Sequence, residues 1–150
     1  MIANPLRLWY YLSGKPMAGY SKRSLVDKLG IKPGYRVYLG NAPAGYDKTL
    51  GKLPEKTTLL KSLKSPCDFM QFFTTGRADL DAAFPKLKKN LDPAGTLWIS
   101  WPKGASKIKT DVNENVVREI GLSNDLVDVK VCAVDDVWSG LKFMFRLKDR

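Results

Sequence analysis

The side chains able to do chemistry are few, and the missing ones narrow the choice first. The sequence has no histidine. Ser-His-Asp and Cys-His nucleophilic machinery therefore has no imidazole to titrate near neutrality, and the commonest zinc ligand is absent. Cys67 and Cys132 stand far apart and outside any CxxC spacing, so neither a structural zinc site nor a disulfide scaffold is expected. Both sit in apolar stretches and read as small core residues. No acidic cluster beyond Asp135-Asp136 suggests a metal, and no residue is assigned a catalytic role.

Three short segments remain as candidates for holding a ligand: Gly40-Asn41-Ala42-Pro43-Ala44-Gly45, Thr74-Thr75-Gly76-Arg77 and Trp101-Pro102-Lys103. Each follows an apolar run that reads as a strand, and in open α/β sheets ligands bind outside the carboxyl ends of the strands. The candidate ligand-binding residues are Gly40, Asn41, Ala42, Gly45, Thr75, Arg77, Trp101 and Lys103. Loop amides with Arg77 and Lys103 would suit an anion or a nucleotide. The alternative reading makes Gly40, Pro43 and Gly45 ordinary turn residues and Trp101 a core residue. A second cluster is Asp135, Asp136, Trp138, Ser139 and Lys142. There an aspartate would act as base or bind a cationic group, or the segment is a hairpin turn with solvated acids and a packing tryptophan. Two acids at a turn need no special explanation, and Ser139 has no neighbouring base to activate it.

These segments must be placed by the elements around them. Ser21 is expected to cap a helix running through Leu29, and Tyr35 to Leu39 reads as a buried strand. Thr57 to Leu60 is β-prone but is also compatible with a helical turn. Cys67 to Thr74 is apolar throughout, as a strand buried on both faces is. Leu80, Ala83, Phe84, Leu87 and Leu91 form a helical stripe over Arg77 to Leu91, with Pro85 expected to kink or divide it. Asp92-Pro93-Ala94-Gly95 reads as a turn into a strand at Thr96 to Trp101. Asp111 is expected to cap a helix through Gly121, with Glu114 at the capping-box position. Leu126 to Val134 and Val137 to Leu147 read as a hairpin. The order is α/β, a mainly parallel sheet with an antiparallel end.

Two of these segments look alike to a known frame. Ile31-Lys32-Pro33-Gly34-Tyr35-Arg36-Val37-Tyr38-Leu39-Gly40 resembles the lead-in to the first strand of SAM-dependent methyltransferases. Leu91-Asp92-Pro93-Ala94-Gly95-Thr96-Leu97-Trp98-Ile99 resembles the turn into their fifth strand. Over nearly all of 19–147 the chain also resembles a small bacterial family of unknown function with this Rossmann-like architecture. Lys28 to Gly34, Leu97 to Lys103 and Val131 to Lys142 carry that likeness. The resemblance implies a reduced methyltransferase-like sheet of about six strands with a C-terminal antiparallel hairpin. It implies SAM as the cofactor to consider. In that fold a carboxylate near the end of the second strand receives the ribose hydroxyls, yet Thr57 to Pro66 contains no Asp or Glu. Pro43 removes a backbone N–H from the loop that would approach the cofactor. Only Lys61 to Pro66 separates the second and third candidate strands, so a helix and a strand of the usual core are expected to be missing.

The chain of 150 residues has 25 Lys plus Arg against 15 Asp plus Glu, a net charge of +10. An acidic partner or nucleic acid is electrostatically favoured, although the lysines are spread along the chain. The longest early apolar run, Leu8 to Leu12, is far short of the roughly 20 residues that span a bilayer. Cytoplasmic localisation is expected from the cysteine usage. Residues 1–16 read as an N-terminal appendage or a mis-assigned start, and residues 17–150 as a single domain. The frame, with its altered loop and missing acid, points to a non-catalytic methyltransferase-like domain binding a small anionic ligand or a macromolecular partner. The alternatives are a divergent SAM-dependent methyltransferase and a nucleic-acid-associated basic protein.

Overall fold

A computed structural model describes residues 23–150; the expected 1–16 appendage lies outside them, and so does Ser21, whose expected capping role Ser24 takes. The first described helix, α1, spans Leu25–Leu29 and is capped by Ser24, whose Oγ accepts from the Asp27 amide at 3.2 Å. Strand β1, Arg36–Gly40, leads to a short helix α2 at Tyr46–Leu50. Strand β2 is only Thr58–Leu59, and β3 is Cys67–Phe73. Helix α3, Arg77–Asn90, precedes the long strand β4, Leu91–Pro102. Helix α4, Glu114–Ser123, then leads into the hairpin β5, Leu126–Ala133, and β6, Trp138–Phe145.

The six strands form one sheet in the order β2-β1-β3-β4-β6-β5. The β2–β1, β1–β3 and β3–β4 pairs are parallel, and β6 runs antiparallel to both β4 and β5. The chain moves outward from β1 to β2, then returns across β1 to β3, so the order reverses at β1. Alternation along the strands builds two cores. Met70, Phe72, Leu97, Ile99, Trp101, Leu141 and Phe143 pack with α3 and α4 through Leu80, Phe84, Val117 and Ile120. Val37, Phe69, Phe73 and Trp98 pack on the other face with Val26, Leu29, Tyr46 and Leu50. Trp98 Nε1 donates to the Leu29 carbonyl at 2.9 Å, fastening α1 to β4.

Three local expectations are corrected. Helix α3 runs unbroken through Pro85. The proline lies on the exposed side, where water satisfies the carbonyl its missing N–H leaves free. Asn113, not Asp111, caps α4 by accepting from the Val116 amide at 2.9 Å, so Glu114 is not at a capping-box position. Asp111 instead accepts from the Arg77 amide at 2.8 Å, across at the start of α3. The turn at 92–95 becomes a bulge inside β4: Cys67 pairs with Leu91 and Phe69 with Thr96, so two steps on β3 match five on β4. Among the described residues no helix is long and apolar enough to cross a membrane.

Candidate functional site

At the carboxyl edge of β1 and β3, where the strand order reverses, a cleft of about 200 Å³ opens. It is lined by Asn41, Phe73, Thr74, Thr75, Asp79 and Trp138. Asn41 holds a left-handed backbone with φ of 56°, a conformation that favours glycine and is best tolerated otherwise by Asn and Asp. Just before it, a Cβ on Gly40 would lie 2.8 Å from Phe72 Cδ1 and 2.9 Å from Tyr38 Cε2. Only glycine lets the chain leave β1 at this point without displacing both rings.

The opposite wall is a braced turn. The Thr74 hydroxyl donates to the Gly76 carbonyl at 3.0 Å and accepts from the Gly76 amide at 3.2 Å. The Thr75 carbonyl accepts from Thr110 Oγ1 at 2.7 Å. Together with the Asp111 bond to Arg77, these contacts fix where α3 starts and aim Asp79, in its first turn, at the cleft. The floor is aromatic: Tyr46 meets Phe73 edge-on at 4.7 Å between centroids, and Phe73 meets Trp138 at 5.2 Å and 87°. Beneath it, Tyr46 Oη donates to Gln71 Oε1 at 2.6 Å, and Gln71 Nε2 donates to Ser100 Oγ at 3.1 Å. Burial pushes the Tyr46 phenol well above its ordinary range, against the opposing pull of the Gln71 hydrogen bond.

The two sequence clusters rearrange in space. Of the first, Asn41 and Thr75 line the cleft, while Gly40 ends β1, Ala42 lies in the loop after it and Gly45 starts α2. The Arg77 guanidinium turns away to Glu119 at 3.1 Å and Asp81 at 3.9 Å. Trp101 is buried on the α3/α4 face of the sheet. Lys103 follows it, with its amide bonded to the Val137 carbonyl at 2.7 Å. Of the second cluster, Trp138 joins the cleft. Asp135 Oδ1 accepts from both the Val137 and the Trp138 amides at 2.8 Å, as the turn reading requires. Asp136 is exposed, Ser139 sits in the β4–β6 ladder opposite Trp101, and Lys142 is half-buried four residues along β6. Phe73 and Asp79 were absent from the sequence candidates. The only signal for Asp79 was an acid three residues after the glycine that starts α3.

The cleft thus offers one carboxylate, one amide and one exposed hydroxyl above aromatic rings. That donor and acceptor set suits an ammonium or hydroxyl-bearing group, with Phe73 and Trp138 excluding water from beneath it.

No protein-family model matches the sequence, and no curated protein does. Solved structures do. A SAM-dependent methyltransferase from Aquifex aeolicus superposes with a TM-score of 0.56 at 18% identity, over 81% of this chain and 88% of that one. The fibrillarin pre-rRNA processing protein of Methanococcus jannaschii gives 0.57 at 11% identity, over 83% and 74%. Magnesium protoporphyrin IX methyltransferase from Synechocystis PCC 6803 with bound SAH gives 0.54 at 11% identity, over 96% and 95%. The fold is therefore the Rossmann-like fold of SAM-dependent methyltransferases, in a six-stranded form.

Proposed function

We propose that this chain is a divergent SAM-dependent methyltransferase whose cofactor enters at the Asn41–Asp79 cleft. One observation carries the reading: the polar cleft opens at the switch point of a methyltransferase-fold sheet, the place where such sheets take their ligands. A structural neighbour is described with SAH bound.

The residues suit the amino-acid end of SAM. Asp79 would accept from its ammonium, Asn41 and Thr75 would donate to its carboxylate, and Phe73 with Trp138 would support the carbon chain. The bound cofactor would supply an electrophilic methyl group on a sulfonium. The other end is less well served. No carboxylate follows β2, where Leu60, Lys61, Ser62, Leu63 and Lys64 stand, and the cleft is smaller than the roughly 300 Å³ at which small-molecule sites begin.

Calorimetric titration with S-adenosylhomocysteine tests the reading. Binding should be measurable, and Asp79→Asn should weaken it about tenfold, the loss of one charge-assisted hydrogen bond. Absence of heat and of thermal shift with both SAM and S-adenosylhomocysteine would overturn it. The missing acid after β2 favours a second reading, a non-catalytic domain that binds a ligand or partner. Binding of SAM without transfer of labelled methyl to any component of a cell extract would favour that second reading.

A further inference from the structure

Along β5 and β6 from the cleft residue Trp138, lysines gather on the same face of the sheet. Lys130 and Lys142 are direct cross-strand partners on β5 and β6. Like charges placed opposite each other destabilise a sheet. Lys142 is half-buried between Lys130, its β5 partner, and Trp98, its β4 partner. Lys28, from α1, reaches the hairpin end of β5, three residues beyond Lys130, where its Nζ donates to the Ala133 carbonyl at 3.3 Å. Burial, followed by the charges of Lys130 and Lys32, holds the Lys142 ammonium below its ordinary range.

Neither Lys28, Lys130 nor Lys142 makes an ion pair among the described residues. The nearest acid along β5, Asp128, is taken by Arg118 at 2.9 Å. Residues 1–22 contain no Asp or Glu at all, so that segment has no carboxylate to contribute. Helix α1 ends at Leu29, and β5 is exposed from Asp128 to Val131.

We infer that Lys28, Lys130 and Lys142 form a site for a compact phosphate-type polyanion on the open β5–β6 face. Ammonium groups bind phosphate as point charges, and an anion between the facing strands converts a repulsive pair into two attractive contacts. A discrete site fits better than a nucleic-acid track, because the neighbouring Trp98 is fully buried and presents no face for bases to stack on.

Pyrophosphate is the probe, titrated into the full chain at constant ionic strength so that general screening does not vary. Lys130→Met/Lys142→Met should lose about tenfold or more in affinity, the worth of at least one charged contact. The same double variant, without ligand, should melt at a higher temperature than the parent, which confirms that it folds. Lys86→Met/Lys89→Met, on the exposed side of α3, removes the same charge and should retain affinity. Equal losses in the two double variants, or no pyrophosphate binding by the parent, would overturn the inference. So would a single-stranded oligonucleotide that binds more tightly than pyrophosphate and loses equally with both variants.

Discussion

Asn41 and Tyr46 show how single residues shape the cleft. Asn41 sits at φ 56°, which a residue with a β-carbon adopts at a cost of roughly 1–2 kcal/mol unless its side chain compensates. Asn41→Ala should lower stability by about 1 kcal/mol, and Asn41→Gly should stay within a few tenths of the parent in denaturant unfolding. Equal stability of the Ala variant would mean the left-handed turn is not enforced. Tyr46 works through Gln71. Its hydroxyl is the donor to a fully buried amide oxygen. Tyr46→Phe leaves that oxygen unpaired and should cost about 1–3 kcal/mol, whereas pairing it with Gln71→Leu should recover part of the loss. Neither role was legible from sequence. Asn41 was singled out for its loop position, but its backbone angle depends on Gly40 packing under Tyr38 and Phe72, contacts made by distant strands.

Helix α4 is held against the sheet by an approach only glycine permits. A Cβ on Gly121 would overlap the ring of Phe143. Phe143 is fully buried and packed edge-on to Phe84 at 5.6 Å and 88°, so it has nowhere to retreat. Gly121→Ala should destabilise by about 3 kcal/mol, at the upper end for overpacking, and the Gly121→Ala/Phe143→Leu pair should be less unstable than the sum of the single changes. Additive losses would mean that α4 shifts as a body instead. The sequence does show a helix here, ending at Gly121, but it places the cap two residues early. Asp111 is as good a capping residue as Asn113; only the position of α3, whose first amide it receives, decides between them. Helix α2 was missed for a related reason. It is one short turn bounded by Gly45 and Gly51 and buries only Tyr46 and Leu50, too little for periodicity to register. The apolar runs at β1, β3 and β4, by contrast, declare themselves because both faces of the sheet are covered.

At the scale of the whole molecule, the reduced sheet was readable because its evidence is additive. Strand-like runs, one short connection at Lys61 to Pro66 and a terminal hairpin fix the number of strands without any long-range information. The site was only half readable, since a cleft depends on which side chains converge: Trp138 arrives from a hairpin assigned to another cluster, and Arg77 leaves for Glu119. The same burial has a global consequence for pH. The Cys67 thiol, shut inside β3, is pushed up by burial from an ordinary 9.0 to about 11, and the Tyr46 phenol is raised by the same cause. Both groups keep their protons in the folded chain at pH values where the unfolded chain has begun to release them. The Cys67 contribution is therefore intact below pH 9 and is lost as pH rises toward 11, while that of Tyr46 begins to fall only above its ordinary 10.0, each with a slope of about 1.4 kcal/mol per pH unit in its window. Cys67→Ala should be less stable at neutral pH because of the space it leaves, yet its stability should fall less steeply between pH 9 and 11. Urea unfolding at a series of pH values reads that difference directly. Parallel alkaline limbs for the two proteins would show that burial of Cys67 does not govern the loss.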